Sequence, residues 1–158
     1  MPTARFHTGA CVVDGRIYVS GGKTEWHTAD CVPTVEVYDP ATDTWTRSSD
    51  MPWARYGHSA SAVDGKMYIM GGGDDRVARR AIAGEISHEE LVELFNSIDV
   101  YKPASDTWTT AAPCPVEMSH TAAVVDERIY TMGGWYGDDV VVPFTIVSTV
   151  EEFTPGLP

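Results

Sequence analysis

Hydrophobic and polar residues alternate in short runs along the whole chain, and turn-forming residues separate the runs. Within residues 7 to 20, two β-prone runs flank Asp14-Gly15, which is a strong signal for a two-residue β-hairpin. Residues 35 to 38 then alternate Val, Glu, Val and Tyr, as in a strand with one buried face. Residues 40 to 43 supply a turn that begins with Pro and leads into a fourth run. The pattern predicts a unit of four short antiparallel strands.

The same unit occurs three times. A double glycine follows the second run of each copy, and the pairs begin at positions 21, 71 and 133, so successive copies are offset by 50 and 62 residues. The run before each pair starts with closely similar residues, from Val13-Asp14-Gly15 in the first copy to Val125-Asp126-Glu127 in the third. Repeats of this length are typical of architectures in which every copy is one supersecondary unit packed on its neighbours.

The order of motifs within each copy resembles the kelch repeat. That order is a strand, an Asp-Gly turn, a strand, Gly-Gly, a strand ending at Tyr38-Asp39-Pro40 or Tyr101-Lys102-Pro103, a turn, and a strand opened by Trp. The resemblance covers nearly the whole chain and implies a β-propeller in which each repeat forms one four-stranded blade. We therefore expect an all-β fold, a partial kelch β-propeller of about three antiparallel blades, with one short helix in the second blade's insertion.

The repeat boundaries predict blades at about residues 2–50, 51–112 and 113–158, with a helical insertion at 74–96. Residues 150 to 155 align with residues 35 to 40, so the third blade is expected to lack its outer strand. Closed propellers typically have 4 to 8 blades, and three repeats do not close a ring. Three explanations remain open: a piece of a longer kelch protein, a half-propeller that dimerises, and an open array stabilised by partners.

Strand direction alternates in such a blade, which assigns the loops to two faces. One face, which we call the upper face, is expected to carry loops 23–33, 73–97 and 135–143 together with linkers 48–55 and 111–118. The short Asp-Gly and Pro-containing turns occupy the opposite, lower face. The upper loops differ in length and composition although the scaffold does not require it, so function is expected there.

The insertion in the second blade departs most from the repeat. It opens with three arginines in five positions, and Ser87 and Glu90 then form the pattern of a capping box. A helix over residues 88 to 95 would align Leu91, Leu94 and Phe95 on one side and turn its glutamates toward water. So short a helix has to dock its apolar side, either on its own upper face or on a partner.

Protein recognition through the upper face is the function that these features favour. Exposed Trp and Tyr are frequent interface anchors, and arginines at blade entrances are prominent in kelch substrate adaptors of ubiquitin ligases, although here they can equally be scaffold. The residues predicted to bind a partner are Arg5, Trp26, His27, Arg55, Arg76, Arg79, Arg80, Leu91, Phe95, Trp135 and Tyr136. The alternative is a fragment of an enzymatic kelch propeller of the oxidase, epimerase or lyase type.

The charge and hydropathy of the chain further restrict the class of partner. The net charge of −12, from 23 acidic and 11 basic side chains in 158 residues, argues against nucleic acid, which requires basic patches. No apolar run is long enough to span a bilayer and no signal peptide is recognisable, which predicts an intracellular, cytoplasmic protein that does not bind membranes. Self-association through open blade flanks is a further expectation.

No catalytic constellation, metal site or cofactor is predicted. The three cysteines, Cys11, Cys31 and Cys114, have no paired spacing of the kind that zinc sites show. His7, His58 and His120 recur near the start of each unit, and we interpret each as helping to fix its own blade. We therefore expect a protein that is not an enzyme.

Overall fold

The fold consists of three antiparallel sheets and two short helices, as seen in a computed structural model. The structure describes residues 1–26, 31–111, 113, 119–136 and 145–156, without the side chains of Ser119, Trp135 and Tyr136. The all-β prediction is confirmed. The first sheet, blade 1, contains β1 (Gly9–Val13), β2 (Arg16–Ser20), β3 (Val35–Asp39) and β4 (Thr44–Ser48). Blade 2 contains β5 (Ser59–Val63), β6 (Lys66–Met70), β7 (Ile98–Lys102) and β8 (Thr107–Ala111), and blade 3 contains β9 (Ser119–Val125), β10 (Arg128–Tyr136) and β11 (Thr145–Phe153).

Each sheet is a meander in which consecutive strands pair, with order β1-β2-β3-β4, β5-β6-β7-β8 and β9-β10-β11. Within the described residues, blade 3 has three strands where the other two blades have four. The hairpin turns have the expected positive φ angles: Asp14 and Gly15 lie at 49° and 76°, and Asp126 and Glu127 lie at 49° and 61°.

The blades stack through two apolar cores that repeat the same contacts. In each core a tyrosine of one blade's second strand meets an aromatic ring of the next blade's third strand. The centroids are 6.0 Å apart in both pairs, Tyr18 with Tyr101 and Tyr68 with Phe153. The first core contains Val13, Tyr18, Val35, Val37, Met51, Met67, Ile69 and Tyr101. The second contains Val63, Tyr68, Met70, Ile98, Val100 and Ile129.

We call the side that a blade presents to the next blade its trailing face, and the opposite side its leading face. Val13 and Val63 on the trailing faces of blades 1 and 2 are buried, but the equivalent Val125 of blade 3 is 55 % exposed. On the leading faces, Met67 and Ile129 are fully buried, and Ile17 at the same position of blade 1 is only partly covered. Blade 1 therefore exposes its leading face and blade 3 its trailing face, and these are the two kinds of face that pair where the blades join.

Two of the recurrent histidines join neighbouring blades. Nε2 of His58 lies 2.9 Å from Oγ of Ser20 in blade 1, and Nε2 of His120 lies 2.9 Å from Oγ of Ser59 in blade 2. The interpretation that each histidine fixes its own blade was wrong for this pair, because the imidazole reaches across to the preceding blade. His7 is not equivalent to them: it has φ 55° and takes the place of Gly57, at φ 67°, in the second copy.

The insertion holds two helices, where the sequence predicted one. The expected helix is present as α2 (His88–Phe95), and the Ser87 and Glu90 side chains form the predicted capping box. A second helix, α1 (Asp75–Ile82), precedes it and begins at Asp74, whose side chain accepts from the backbone N–H of Arg76. No residue of α1 is fully buried, and its short apolar side is formed by the half-buried Val77, Ala78 and Ala81.

The third double glycine lies within a strand. β10 continues through Gly133 and Gly134 as far as Tyr136, with a register shift against β11 between Met132 and Gly134. The prediction that an upper loop begins at Trp135 was wrong, because Trp135 pairs with Ile146 of β11 and lengthens the sheet. Among the helices that the structure describes, none has the length and apolar character needed to cross a membrane.

Candidate partner-binding surface

Four aromatic rings from blades 1 and 2 form a continuous group on the upper face, which we call the aromatic shelf: Phe6, His7, Trp26 and Tyr56. Trp26 stacks on Phe6 with a centroid distance of 4.9 Å, and its ring lies 6.0 Å from that of His7. His7 in turn stacks on Tyr56 at 6.2 Å. Trp26 is 69 % exposed, so one ring face packs on the shelf while much of the indole remains in solvent.

The double glycines permit the backbone contacts that bring the residues of the shelf together. In each of the first two blades the entry segment pairs with the residue after Gly-Gly, through the bridges Phe6 with Lys23 and Tyr56 with Gly73. A Cβ at Gly22 would lie 2.7 Å from the Phe6 carbonyl oxygen, and one at Gly72 would lie 2.8 Å from the Tyr56 carbonyl oxygen. Both glycines also have positive φ, so they permit the close approach that places the aromatic residues on the upper face.

Lys23 connects the shelf to the insertion. Its Nζ lies 4.1 Å from the centroid of the Tyr56 ring and 2.5 Å from Oδ2 of Asp75, at the start of α1. Tyr56 donates its hydroxyl proton to Oδ1 of the same carboxylate at 2.6 Å. Burial opposes ionisation of Asp75, yet the hydrogen bonds from Lys23 and Tyr56 lower its pKa below the usual value. Burial and the Asp75 carboxylate together raise the pKa of Tyr56, so this phenol stays protonated.

Arg5 and Arg55, predicted at the blade entrances, are fully buried inside their own blades. Arg5 donates to the carbonyl oxygens of Gly21 and Thr34 at 2.7 and 2.9 Å and pairs with Glu36. These contacts favour the scaffold alternative over a direct role in binding a partner, because the guanidinium has no exposed surface.

Arg55 shows the same arrangement with one addition. Its guanidinium pairs with the buried Asp99 and lies over the Trp53 ring, 3.8 Å from the centroid. Burial lowers the pKa of Arg55 to about 10, against the opposing effect of Asp99, so the side chain remains charged at neutral pH. A cation held between an aromatic ring and a carboxylate therefore occurs twice at this face, at Arg55 and at Lys23.

The insertion packs on its own blade. Leu91 is 4 % exposed and Phe95 is buried against Trp53, with ring centroids 5.9 Å apart. Both had been predicted as partner-binding residues, and their burial favours the alternative in which α2 docks on its own upper face.

The three arginines of α1 have different surroundings. Arg76 bonds to Asp74 and to the carbonyl oxygen of Cys31, at 3.1 Å, which ties α1 to blade 1. Arg80 pairs with Glu85 at 3.3 Å, and both side chains are largely exposed. Arg79 is exposed on the same helix. Arg79 and Arg80 thus remain accessible to a partner.

Three other predicted residues lie wholly or partly outside the described residues. His27 lies outside the described residues, and the side chains of Trp135 and Tyr136 do too, although their backbone belongs to β10. His7, Phe6 and Tyr56 are the members of the shelf that sequence reasoning did not select as binding residues. The signal that could have found them is their position just before the first strand of each repeat, opposite the residue that follows Gly-Gly.

Comparison with known proteins identifies the family. The family model of the KLHDC2/KLHL20/DRC7 Kelch-repeats domain matches residues 1–134. The chain belongs to the kelch-repeat family. Its curated relatives include an F-box/kelch-repeat protein of Arabidopsis thaliana, 27 % identical over 139 residues, which covers 85 % of this chain and 32 % of that protein.

Two further relatives come from other organisms. Kelch-like protein terF of Aspergillus terreus is 34 % identical over 140 residues, covering 85 % of this chain and 28 % of that protein. Beta-scruin of Limulus polyphemus is 29 % identical over 135 residues, covering 85 % of this kelch chain and 14 % of its own length. The chain thus spans less than a third of the length of each of these relatives.

A solved structure shows the same fold. The structure of YjhT matches with a TM-score of 0.64 and 17 % sequence identity, covering 82 % of this chain and 44 % of that one. The kelch chain therefore has the architecture of a partial β-propeller.

Proposed function

We propose that this kelch chain binds another protein through its upper face, with the aromatic shelf as the centre of the contact. The observation that carries the proposal is the state of Trp26. Its indole is 69 % exposed, yet stacking on Phe6 fixes its orientation. A large, rigid, exposed aromatic group loses little conformational entropy on binding, and Trp is among the residues most enriched at interface hot spots.

Two further features support this surface. Arg79 and Arg80 lie on α1, whose first turn adjoins the shelf through Asp75, so the insertion adds exposed polar groups beside the aromatic ones. Members of the kelch-repeat family are commonly protein-interaction modules, and the upper loops of this chain carry the residues that vary most between its own repeats.

The proposal is tested by selecting binders from a displayed library of random peptides on the immobilised 158-residue protein. The affinity of each selected peptide is then compared between the unmodified chain, Trp26→Ala and Val92→Ala. Val92 is a matched control because it is also apolar and 41 % exposed, but it lies on α2 and is not part of the aromatic shelf.

Loss of the Trp26 contact is expected to weaken binding by about tenfold or more, which is the usual effect of removing a hot-spot side chain. Val92→Ala should leave the affinity unchanged. If the selected peptides bind both variants equally well, the upper face is not the binding surface.

A further inference from the structure

At the upper face, two positively charged side chains each lie between an aromatic ring and a carboxylate. Lys23 lies between the Tyr56 ring and Asp75, and Arg55 lies between the Trp53 ring and Asp99. In each case the ring provides the negative face of its π system and the carboxylate provides the balancing charge. The ring and the carboxylate together offset the free-energy cost of removing each buried cation from water.

Glu25 and Trp26 bring a third carboxylate and a third ring together in the sequence, and both side chains are exposed. The Glu25 side chain is exposed, and no described residue of the chain forms an ion pair with it. Neither of the cation-on-ring contacts among the described residues involves Trp26. This pair therefore has the groups that hold a cation at the other two sites, and it is open to solvent.

We propose that Glu25 and Trp26 receive an arginine side chain of the protein partner, with the guanidinium stacked on the indole and paired with the carboxylate. The proposal rests on the proposed upper-face function and specifies the chemistry of the partner. Among cation–π pairs, Trp gives the strongest interaction, and a planar guanidinium stacks on it better than a compact ammonium does.

The charge of the whole chain favours the same class of partner. At a net charge of −12 the chain attracts a basic segment at long range and repels an acidic one. Arg79 and Arg80 would favour an acidic partner locally, but Arg79 acts beside Asp75, whose pKa it helps to lower, and Arg80 pairs with Glu85, so both positive charges are partly balanced. A basic, arginine-bearing segment is therefore the occupant that both the local geometry and the overall charge support.

The test uses the peptides selected on the unmodified chain. Each arginine of a selected peptide is replaced in turn by citrulline, which keeps the planar shape without the charge, and by lysine, which keeps the charge without the plane. Binding is measured to the unmodified chain, to Trp26→Phe and to Glu25→Gln. Asp14→Asn is the matched control for charge, because it removes one carboxylate from an exposed lower turn and asparagine tolerates the positive φ found there.

We expect the selected peptides to share one arginine whose change to citrulline weakens binding about tenfold, with lysine intermediate, since cation–π and ion-pair contributions add at one site. Trp26→Phe and Glu25→Gln should each weaken binding about threefold to fivefold, and Asp14→Asn should not. Weaker binding at higher salt is expected for the unmodified chain.

Two other outcomes overturn the inference in distinguishable ways. If the peptides depend on Trp26 but bind equally well with citrulline, or are acidic, then the upper face binds a partner of different chemistry. If none of the selected peptides depends on Trp26, both the arginine site and the proposed function fail.

Discussion

At the residue scale, backbone conformation decides which side chain a repeat position tolerates. The first central residue of each Asp-Gly-type turn is an aspartate with positive φ, which this short polar side chain accommodates. The second central residue is Gly15 in the first copy and Glu127 in the third, at φ 76° and 61°. Only the glycine adopts that angle without a steric penalty.

Replacing Glu127 with glycine should therefore stabilise the protein. We expect Glu127→Gly to raise the free energy of unfolding by about 1 kcal/mol, because the relief of strain exceeds the added entropy of the unfolded chain. Thermal unfolding of the two proteins measures the difference. The reverse change in the first copy, Gly15→Glu, should destabilise by a similar amount, and a lower melting temperature for Glu127→Gly would contradict the account.

We expect His58, which joins blades 1 and 2, to make the stability of the folded protein depend on pH. Burial, followed by the charges of Arg55 and Arg5, lowers the pKa of His58 to about 3 from an ordinary value of 6.5. Above pH 6.5 the imidazole is neutral in both the folded and the unfolded chain. Below it only the unfolded chain takes up the proton, so stability is lost as the pH falls toward the folded-state pKa.

Protonation of His58 in the unfolded chain should lower the free energy of unfolding by about 2 kcal/mol between pH 6.5 and about 5, from roughly 1.4 kcal/mol per pH unit. Urea unfolding at several pH values measures it. His58→Gln is the control, because an amide can still bond to Ser20 but does not titrate. Equal pH dependence in the two proteins would show that the imidazole does not set it.

At the scale of the elements, two neighbouring residues of α2 differ strongly in burial, which allows the docking of this helix to be tested. Leu91 is 4 % exposed and Val92 is 41 % exposed. Leu91→Ala should destabilise the protein by about 2 kcal/mol or more, because a buried side chain is lost and a cavity remains. Val92→Ala should change the stability by less than about 0.5 kcal/mol. Equal effects in thermal unfolding would mean that α2 is not docked on blade 2.

The two helices also show how far the sequence predicts the insertion. α2 was predictable because Ser87 and Glu90 cap it and its apolar residues lie on one side. α1 was missed, because its apolar side is short, with no residue fully buried, and because Asp75 and Arg76 fix it to blade 1 through an ion pair and a hydrogen bond. Such polar contacts between distant segments cannot be read from the sequence of the helix.

At the scale of the whole molecule, the repeat predicted the sheets and their order because turn residues and strand patterns are local. The aromatic shelf depends instead on which segments the propeller brings together, as in the stack of His7 on Tyr56. The burial of Arg5 and Arg55 depends likewise on carboxylates distant in sequence, Glu36 and Asp99. Sequence position alone therefore left open whether the two arginines bind a partner or belong to the scaffold.

The repeated blade contact has a consequence for the isolated 158-residue protein. Its two free faces, with Val12 and Tyr38 on blade 1 and Val125 and Tyr130 on blade 3, correspond to the two sides of the contact that joins its own blades. Complementary faces on one molecule favour head-to-tail association. We therefore expect this protein to self-associate at micromolar concentration.

Sedimentation of two variants, alone and mixed, tests this most directly. Val12→Glu blocks the leading face of blade 1 and Val125→Glu blocks the trailing face of blade 3, so each variant alone should associate less than the unmodified chain. Their mixture should form a dimer, because each retains the face that the other lacks, and Val92→Glu should associate like the unmodified chain. If the unmodified protein sediments as one compact 17.2 kDa species, or the mixture stays monomeric, the blade faces are not complementary halves of one interface.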